Sequence, residues 1–312
     1  MTASLAFGKF AVGQSATKTV TISNTGATHS ASVSSVTSSD PEYTLSGAGS
    51  CGAIPITIAP KGSCTLGIGF APNGVGAHGA TLSLYDNATT SPQHVTLSGT
   101  GIAGLTTSKT SLTYGSVRFG LTSAASFSVT NHQTQSINLG ESFGGANASD
   151  FSITGGTCGT TLAAAKACTI TVTFKPGVLG TESATLSVVA SPDPLSPYNI
   201  ALSAAATIPD TVTPPTLSYG TVSRTSSKTL KATVTNHSAY PLSIDSAISG
   251  ANAPDFNVTA NTCGASINGN SSCTISVTFK PTTTSSEGAT LGVTISSDPT
   301  SPHSVALTGT GS

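Results

Sequence analysis

The stretch Cys168-Thr-Ile-Thr-Val-Thr-Phe-Lys-Pro176 decides the fold class of this sequence. Its apolar residues alternate with polar ones, and a period of two is typical of a β-strand with one buried face. Two other stretches repeat the pattern, Cys64-Thr-Leu-Gly-Ile-Gly-Phe-Ala-Pro72 and Cys273-Thr-Ile-Ser-Val-Thr-Phe-Lys-Pro281. One strand therefore occurs three times in a single chain.

A second cysteine precedes each of these strands, so the six cysteines form three local pairs. The pairs are Cys51 with Cys64, Cys158 with Cys168, and Cys263 with Cys273. Tetrahedral zinc would need four ligands, and no second Cys or His pair lies near any of them. We therefore predict three local disulfides, which indicate folding outside the cytosol. Closing such a short loop stabilises a domain by roughly 3 kcal/mol in the chain-entropy model.

Other landmarks recur with the cysteines, about every 105 residues, which is too long for a solenoid unit that depends on its neighbours. An asparagine recurs at Asn24, Asn131 and Asn236. The copies open on Leu5-Ala-Phe-Gly, Leu112-Thr-Tyr-Gly and Leu217-Ser-Tyr-Gly. We predict three autonomous domains, residues 1–101, 102–206 and 207–312.

Alternating apolar runs give about seven short strands in each copy, the number found in an immunoglobulin-like sandwich. No run of apolar residues has the 3.6-residue period of a helix. The predicted fold is all-β, with three tandem seven-stranded sandwiches and one local disulfide in each. A pair of cysteines around one loop differs from the antibody pattern, in which a disulfide joins the two sheets.

Two further motifs carry a family resemblance, Gly145-Ala-Asn-Ala-Ser-Asp-Phe151 and Gly250-Ala-Asn-Ala-Pro-Asp-Phe256. With the cysteine strands, they resemble the bacterial exported branch of the abnormal-spindle/Hydin-like immunoglobulin-like domains, of the choice-of-anchor D type. The resemblance covers essentially the whole chain and is weakest in the first copy. It implies PapD-like sandwiches in tandem within large surface or secreted proteins, and it implies no catalytic residues.

Composition argues against several classes of partner. Only 7% of the residues are charged, the net charge is −1, and Trp is absent. A chain without a basic stripe has no electrostatic footprint for nucleic acid or anionic lipid. The longest nearly apolar stretch, residues 201–208, is far shorter than the roughly 20 residues of a membrane helix. We expect neither nucleic-acid binding nor membrane insertion.

The N-terminus lacks the basic and apolar segments of a secretory leader. We therefore expect an exported protein, extracellular or on the cell surface, whose leader is absent from this sequence. Our preferred interpretation is a piece of a larger exported protein.

Two motifs match enzyme signatures by their letters alone. Gly74-Val-Gly-Ala-His-Gly79 matches the dinucleotide fingerprint, which needs a strand before it and a helix after it. Gly140-Glu-Ser-Phe-Gly144 matches the nucleophile elbow, which needs a strand-to-helix turn. We interpret the first as a hairpin loop and the second as an ordinary inter-strand turn. The prediction is no catalytic residue, no cofactor and no enzyme activity.

The histidines and aspartates indicate no repeated metal site. His132 and His237 share a position, but the first copy has Thr25 there, and we interpret the two as solvated loop residues. Asp193-Pro and Asp298-Pro are typical of turns. Calcium at the domain joints stays open as an alternative, although calcium sites gather six or more oxygens. We predict no metal site.

Two functions fit these observations. The first is an extracellular stalk, spacer or filament segment, because the repeats carry no repeated reactive site. Its joints would be of two kinds, flexible at Gly101–Leu105 and stiffer and extended at Pro209–Pro215. The alternative is an adhesin or a carbohydrate-binding region of a larger secreted protein, although the absence of Trp disfavours a sugar platform.

Self-association is the partner hypothesis that the sequence suggests most directly, because few charges guard the strand edges. The opening segment, residues 2–8 with Leu5 and Phe7, could leave its own sheet and pair with another chain. The closing strand, residues 305–311 with Val305 and Leu307, is its predicted partner. Neighbouring domains of a longer chain are the other expected partners, and carbohydrate or a host surface has no direct support.

Overall fold

The computed structural model describes residues 4–312, and residues 1–3 lie outside that description. The described chain is built from strands, with helix limited to two single turns of 3-10 helix at Ala148–Asp150 and Ala253–Asp255. The strands form six sheets, two for each of three sandwiches. The predicted all-β class is confirmed, as are the three tandem sandwiches.

Each sandwich has seven strands of six or more residues, together with one or two shorter ones. The first contains β1 (Ser4–Ala11), β2 (Ala16–Ser23), β3 (Ala31–Ser38), β4 (Tyr43–Gly49), β5 (Ile56–Ile58), β6 (Ser63–Phe70), β7 (Gly76–Asp86) and β8 (Gln93–Ile102). The second contains β9 (Leu105–Thr107), β10 (Ser111–Arg118), β11 (Ser123–Asn131), β12 (Ile137–Gly144), β13 (Phe151–Gly156), β14 (Thr161–Leu162), β15 (Ala167–Phe174), β16 (Gly180–Ser191) and β17 (Tyr198–Thr207). The third contains β18 (Asp210–Thr213), β19 (Thr216–Val222), β20 (Lys228–Asn236), β21 (Leu242–Ser249), β22 (Phe256–Asn261), β23 (Ser266–Ile267), β24 (Ser272–Phe279), β25 (Ser286–Ile295) and β26 (His303–Gly311).

The larger sheet of each sandwich has five strands. Their orders are β1-β8-β7-β3-β5, β10-β17-β16-β12-β14 and β19-β26-β25-β21-β23. The smaller sheets are β2-β6-β4, β13-β15-β11-β9 and β18-β20-β24-β22. The strand that begins at or just before the second cysteine of each pair, β6, β15 or β24, lies inside each smaller sheet, where its apolar residues face the core.

The first long strand of each sandwich pairs in parallel with the last strand, and it forms one edge of the larger sheet. The Leu-x-aromatic-Gly motif lies on this strand, and the register shifts at the glycine. Gly8, Gly115 and Gly220 have φ of 89°, 67° and 69°. Such positive φ values favour glycine, so the motif encodes a bulge.

The aromatic residue of the same motif belongs to a cluster of three rings in every core. In the second sandwich, Tyr114, Phe151 and Phe174 lie with ring centroids 5.0 to 5.8 Å apart. The Tyr114 hydroxyl donates to the Val172 carbonyl at 3.0 Å. The equivalent clusters are Phe7, Tyr43 and Phe70 in the first sandwich, and Tyr219, Phe256 and Phe279 in the third. Each cluster joins the two sheets through aromatic packing.

The recurring asparagine ends the second long strand and ties two loops together. The Asn131 side-chain amide donates to the carbonyls of Gln135, Leu162 and Ala163, and its oxygen accepts from the Gln133 amide. Asn236 makes the same four kinds of contact. Both asparagines are fully buried, so these bonds satisfy polar groups that water cannot reach.

The three disulfides join Cys51 to Cys64, Cys158 to Cys168 and Cys263 to Cys273. Their Cα atoms are 4.9 Å apart in each case. Each bond ties the loop after a sheet-edge strand to the cysteine strand of the same small sheet. The predicted single local disulfide in each sandwich is confirmed.

Both enzyme-like motifs lie wholly or largely in strands, with Gly74 and Val75 in the loop before β7. Gly76 begins β7, so no helix follows the Gly74–Gly79 stretch. The Gly140–Gly144 stretch lies inside β12, which pairs with β16 along its whole length. The prediction of an inter-strand turn at Gly140–Gly144 is wrong, because β12 continues to Gly144 through two glycines.

We predict that Asn131→Ala destabilises the second sandwich by about 3 kcal/mol or more, because it leaves several buried polar groups without partners. Asn24 has the equivalent bonds but is partly exposed, so water can replace them in Asn24→Ala. That matched variant should lower the free energy of unfolding of the first sandwich by about 1 kcal/mol. Hydrogen exchange measured by mass spectrometry assigns each loss to one sandwich. Equal losses in the two variants would contradict this account of the asparagine.

Candidate functional sites at the sandwich joints

Both linkers are strands of the sandwich that follows them. β9 pairs with β11 and β18 pairs with β20, so each linker extends the smaller sheet. The Gly104 carbonyl accepts from the His132 amide at 2.8 Å, and the Pro209 carbonyl accepts from the His237 amide at 2.7 Å. Only residues 103–104 lie between β8 and β9. The predicted flexible joint at Gly101–Leu105 is therefore wrong, whereas Pro209–Pro215 is extended as expected.

The histidines at these positions bond to the linkers through their side chains as well. His132 Nε2 lies 2.8 Å from the Thr106 hydroxyl, and His237 Nε2 lies 3.1 Å from the Thr211 hydroxyl. Both histidines lie in loops, as expected; His132 is exposed and His237 is partly buried, and each ring also bonds to the linker strand beside it.

A second contact recurs at both joints, in the loop after the first long strand. The Gln14 side chain donates to the Thr134 hydroxyl at 3.1 Å and accepts from the Thr134 amide at 3.4 Å. A Cβ on Gly13 would lie 3.1 Å from Pro194, and one on Gly120 would lie 3.1 Å from Ser297. Each of these loops thus touches the next sandwich closely.

Three ionisable side chains meet at the end of the third sandwich where its linker enters. Nε2 of His303 lies 2.9 Å from Asp210 Oδ2 and 2.6 Å from Asp298 Oδ2. Asp210 is fully buried and Asp298 is 7% exposed. The ligand atoms of the three lie within 4.8 Å of one another, so one imidazole and two carboxylates could hold a metal ion. Direct contact of His303 Nε2 with both carboxyl groups accounts for the same geometry without a metal.

The second sandwich has neutral groups at the equivalent positions. Leu105 replaces Asp210, and Tyr198 replaces His303. The Tyr198 hydroxyl donates to Asp193 Oδ2 at 2.7 Å, and burial raises the Tyr198 pKa. Sequence reasoning missed this cluster because its members lie far apart in the chain. Aligning the copies would have shown that both positions change together.

Burial above all, and then the nearby charge of Asp298, raise the pKa of Asp210 to about 6, although His303 opposes the shift. The folded third sandwich therefore holds a proton on Asp210 more tightly than the unfolded chain does. The stabilisation from this group is complete below the usual aspartate pKa and is lost as the pH rises through about 6.

A different buried ionisable pair recurs farther along each sandwich. In the first sandwich, Glu42 Oε2 lies 2.6 Å from His78 Nδ1. The equivalent residues of the second are Asp150 and Glu182, which are both acidic. Burial and a hydrogen bond with Asp150 raise the pKa of Glu182 to about 7. Two close carboxyls favour sharing one proton, so this pair needs no cation.

The predicted assembly strands lie in the cores. Val305 and Leu307 are buried, and β26 is flanked by β19 and β25 on its two sides. The closing strand thus has no free edge to offer, and this part of the assembly hypothesis is wrong. Phe7 is 4% exposed within the aromatic cluster and Leu5 is half-buried, while Thr2 lies outside the described residues. Release of this segment would remove a ring from the core.

A family comparison identifies the class of protein. The family model of Cep192 domain 4 matches residues 2–102 and 208–312, which correspond to the first and third sandwiches. The chain belongs to the Cep192 domain 4 family. The match leaves out the second sandwich, although the family resemblance of the sequence is weakest in the first copy. No curated protein matches the sequence.

Several solved structures resemble the chain. A protein of unknown function from Porphyromonas gingivalis W83 is 13% identical over 67% of this chain and 100% of its own, with a TM-score of 0.28. PapD-like domain 7 of human CEP192 is 18% identical over 34% of this chain and 86% of its own, with a TM-score of 0.26. Titin domains I67–I69, in an E-to-A mutated variant, are 9% identical over 98% of this chain and 95% of their own, with a TM-score of 0.30. Scores this low carry no functional argument.

Among residues 4–312, no helix has the length and apolar character needed to cross a membrane.

We predict that Asp210→Leu, which copies the second sandwich, stabilises the third sandwich at pH 7 and has less effect at pH 4. The buried carboxylate is charged only at the higher pH. The gain in the free energy of unfolding should therefore be larger at pH 7 than at pH 4 by on the order of 2 kcal/mol. Chemical denaturation at the two pH values measures it. The matched control is Asp245→Leu, an exposed aspartate of the same sandwich. A larger gain at pH 4 than at pH 7 would contradict the described environment.

Proposed function

We propose that the chain is a non-enzymatic spacer, a segment of an extracellular stalk or surface appendage. Its tandem sandwiches hold whatever lies at the two ends of the segment at a defined separation. One observation carries the proposal: both joints use the same two contacts, a linker strand in the next sheet and a close loop beyond it. Repeated joints of one design favour a semi-rigid array over independent tethered domains.

The compartment and the branch of the family are part of this proposal. Three disulfides suit an oxidising environment, which supports export from the cytosol. The Gly145–Phe151 and Gly250–Phe256 motifs support the bacterial choice-of-anchor D branch. In both, the segment forms the turn of 3-10 helix that leads into an aromatic core residue.

The absence of enzyme activity is likewise a proposal. It is supported by the structural roles of two buried aspartates near the joints, because Asp193 and Asp298 cap turns. Asp193 accepts from the Leu195 amide at 3.0 Å, and Asp298 accepts from the Thr300 amide at 2.8 Å. The second sandwich replaces two members of the ionisable cluster, Asp210 and His303, with Leu105 and Tyr198, which suits a structural role. The proposed partners are neighbouring domains of a longer chain.

Small-angle X-ray scattering tests the spacer. We predict a rod with a maximum dimension on the order of 100 Å, from three sandwiches of roughly 30 to 40 Å each. Insertion of Gly-Ser-Gly-Ser after Ala103 should broaden the distance distribution, because it uncouples β9 from β8. The same insertion after Gly74, in a loop of the first sandwich, is the control and should leave the distribution unchanged. A broad distribution for the unmodified chain would contradict the proposal.

The oxidation state tests the compartment. We expect chain isolated from exported material to carry three intramolecular disulfides, seen as a gain of six hydrogens in intact mass on reduction. Peptide mapping should place each bond within one sandwich. Free thiols in exported material, or bonds between sandwiches, would contradict the export argument.

A further inference from the structure

The first sandwich differs from the other two along one sheet edge. Its smaller sheet has three strands, whereas the other two smaller sheets have four. The fourth strand of those sheets is the linker, β9 along β11 or β18 along β20. The register of the first long strands aligns Ser4 with Ser111, so the counterpart of β9 would precede residue 1. Among residues 4–312, no strand covers this edge of β2.

A groove of about 310 Å³ lies beside this edge. Its walls come from both sheets and include Ile22, Asn24, Ala31, Leu84 and Gln93. In the second sandwich, the equivalent space holds Leu105, which is fully buried in the core. The third sandwich has fully buried Asp210 at this position, 2.9 Å from His303 Nε2, but the first sandwich has Gln93 in place of His303. The second sandwich is therefore the better guide, and the chemistry that fits the groove is an aliphatic side chain on an extended segment.

The polar groups at the edge match the same occupant. The amides of His132 and His237 donate to the linker carbonyls, but the equivalent Thr25 amide has no such acceptor within residues 4–312. Asn131 and Asn236 are fully buried under their linkers, whereas Asn24 is partly exposed. Backbone donors spaced along a strand edge are matched by another strand better than by a small molecule.

The walls also bear on the size of the occupant. Ala31 stands where the second and third sandwiches have Ile137 and Leu242. Gln93 stands where they have Tyr198 and His303. The smaller alanine widens the groove, so it admits a side chain at least as large as leucine.

We propose that the groove of the first sandwich binds a linker strand from a neighbouring sandwich domain outside these 312 residues. The strand pairs antiparallel with residues 21–25 and buries one aliphatic side chain against Ile22 and Leu84. Residues 4–11 do not fill the groove, because they form β1, which pairs with β8 in the other sheet. This interaction surface goes beyond the spacer proposal, which requires only the two joints inside the chain.

A graft within the full chain tests the proposal. The sequence of residues 102–110 replaces residues 1–3 and joins directly to Ser4, as it joins Ser111 in the second sandwich. We expect slower hydrogen exchange at the Ser23 and Thr25 amides, by on the order of tenfold or more, and a higher unfolding midpoint of the first sandwich. The second and third sandwiches should not change.

The matched control carries Leu105→Asp in the grafted segment, where the buried carboxyl meets Gln93 in place of the histidine that contacts Asp210. In this control, the Ser23 and Thr25 amides should exchange as fast as they do in the chain without the graft. Equal protection by both grafts, or protection by neither, overturns the proposal.

A separate peptide with the sequence of residues 102–109 probes binding in trans to the unmodified chain. Protection of Ser23 and Thr25 that saturates with peptide concentration supports the proposal. Sedimentation of the unmodified chain provides the opposing outcome: dimers in which the same two amides become protected would show that a second copy fills the groove, and would overturn the assignment to a linker strand.

Discussion

The chain segment that enters the second and third sandwiches gives one strand to each of their two sheets, and the rest of the structure depends on this constraint. In the second sandwich, β9 extends the smaller sheet and β10 then pairs in parallel with β17 in the larger one. The third repeats the arrangement with β18 and β19. A linker that is also a core strand cannot swing freely without breaking backbone hydrogen bonds. The orientation of one sandwich on the next is thereby coupled to folding.

The residues that recur among the sandwiches, a glycine, an aromatic residue and an asparagine, hold this entering segment in place. The bulge glycine turns β10 as it follows β17, and the aromatic residue beside it packs on rings from β13 and β15. The buried asparagine at the end of β11 holds the loops near the point where the linker enters. In the first sandwich, the same asparagine is more exposed, beside the groove that borders β2. Differences among the three copies are therefore informative about function.

Much of this fold could be predicted from the sequence, because the period of two in the Cys168–Pro176 strand reports which residues face the core. The cysteine pairs likewise lie close in the chain, so their pairing is local. The alternation of apolar and polar residues, however, does not show which strands lie beside a given strand. The sequence could not show that Val305 lies on a strand flanked on both sides, nor that Gly140–Gly144 continues a strand. Short linker strands of three or four residues carry too little pattern to be recognised.

The ionisable cluster was hidden for a different reason, since Asp210 and His303 meet only after the last strand returns beside the first. The most direct test of the central claim is residue-resolved hydrogen exchange at the linker amides that face the neighbouring strand, those of Thr106, Ser108, Thr211 and Thr213. The account predicts that they exchange as slowly as their partners in β11 and β20, and together with them under mild denaturant. Rapid exchange of the linkers, while both neighbouring sandwiches stay protected, would contradict it.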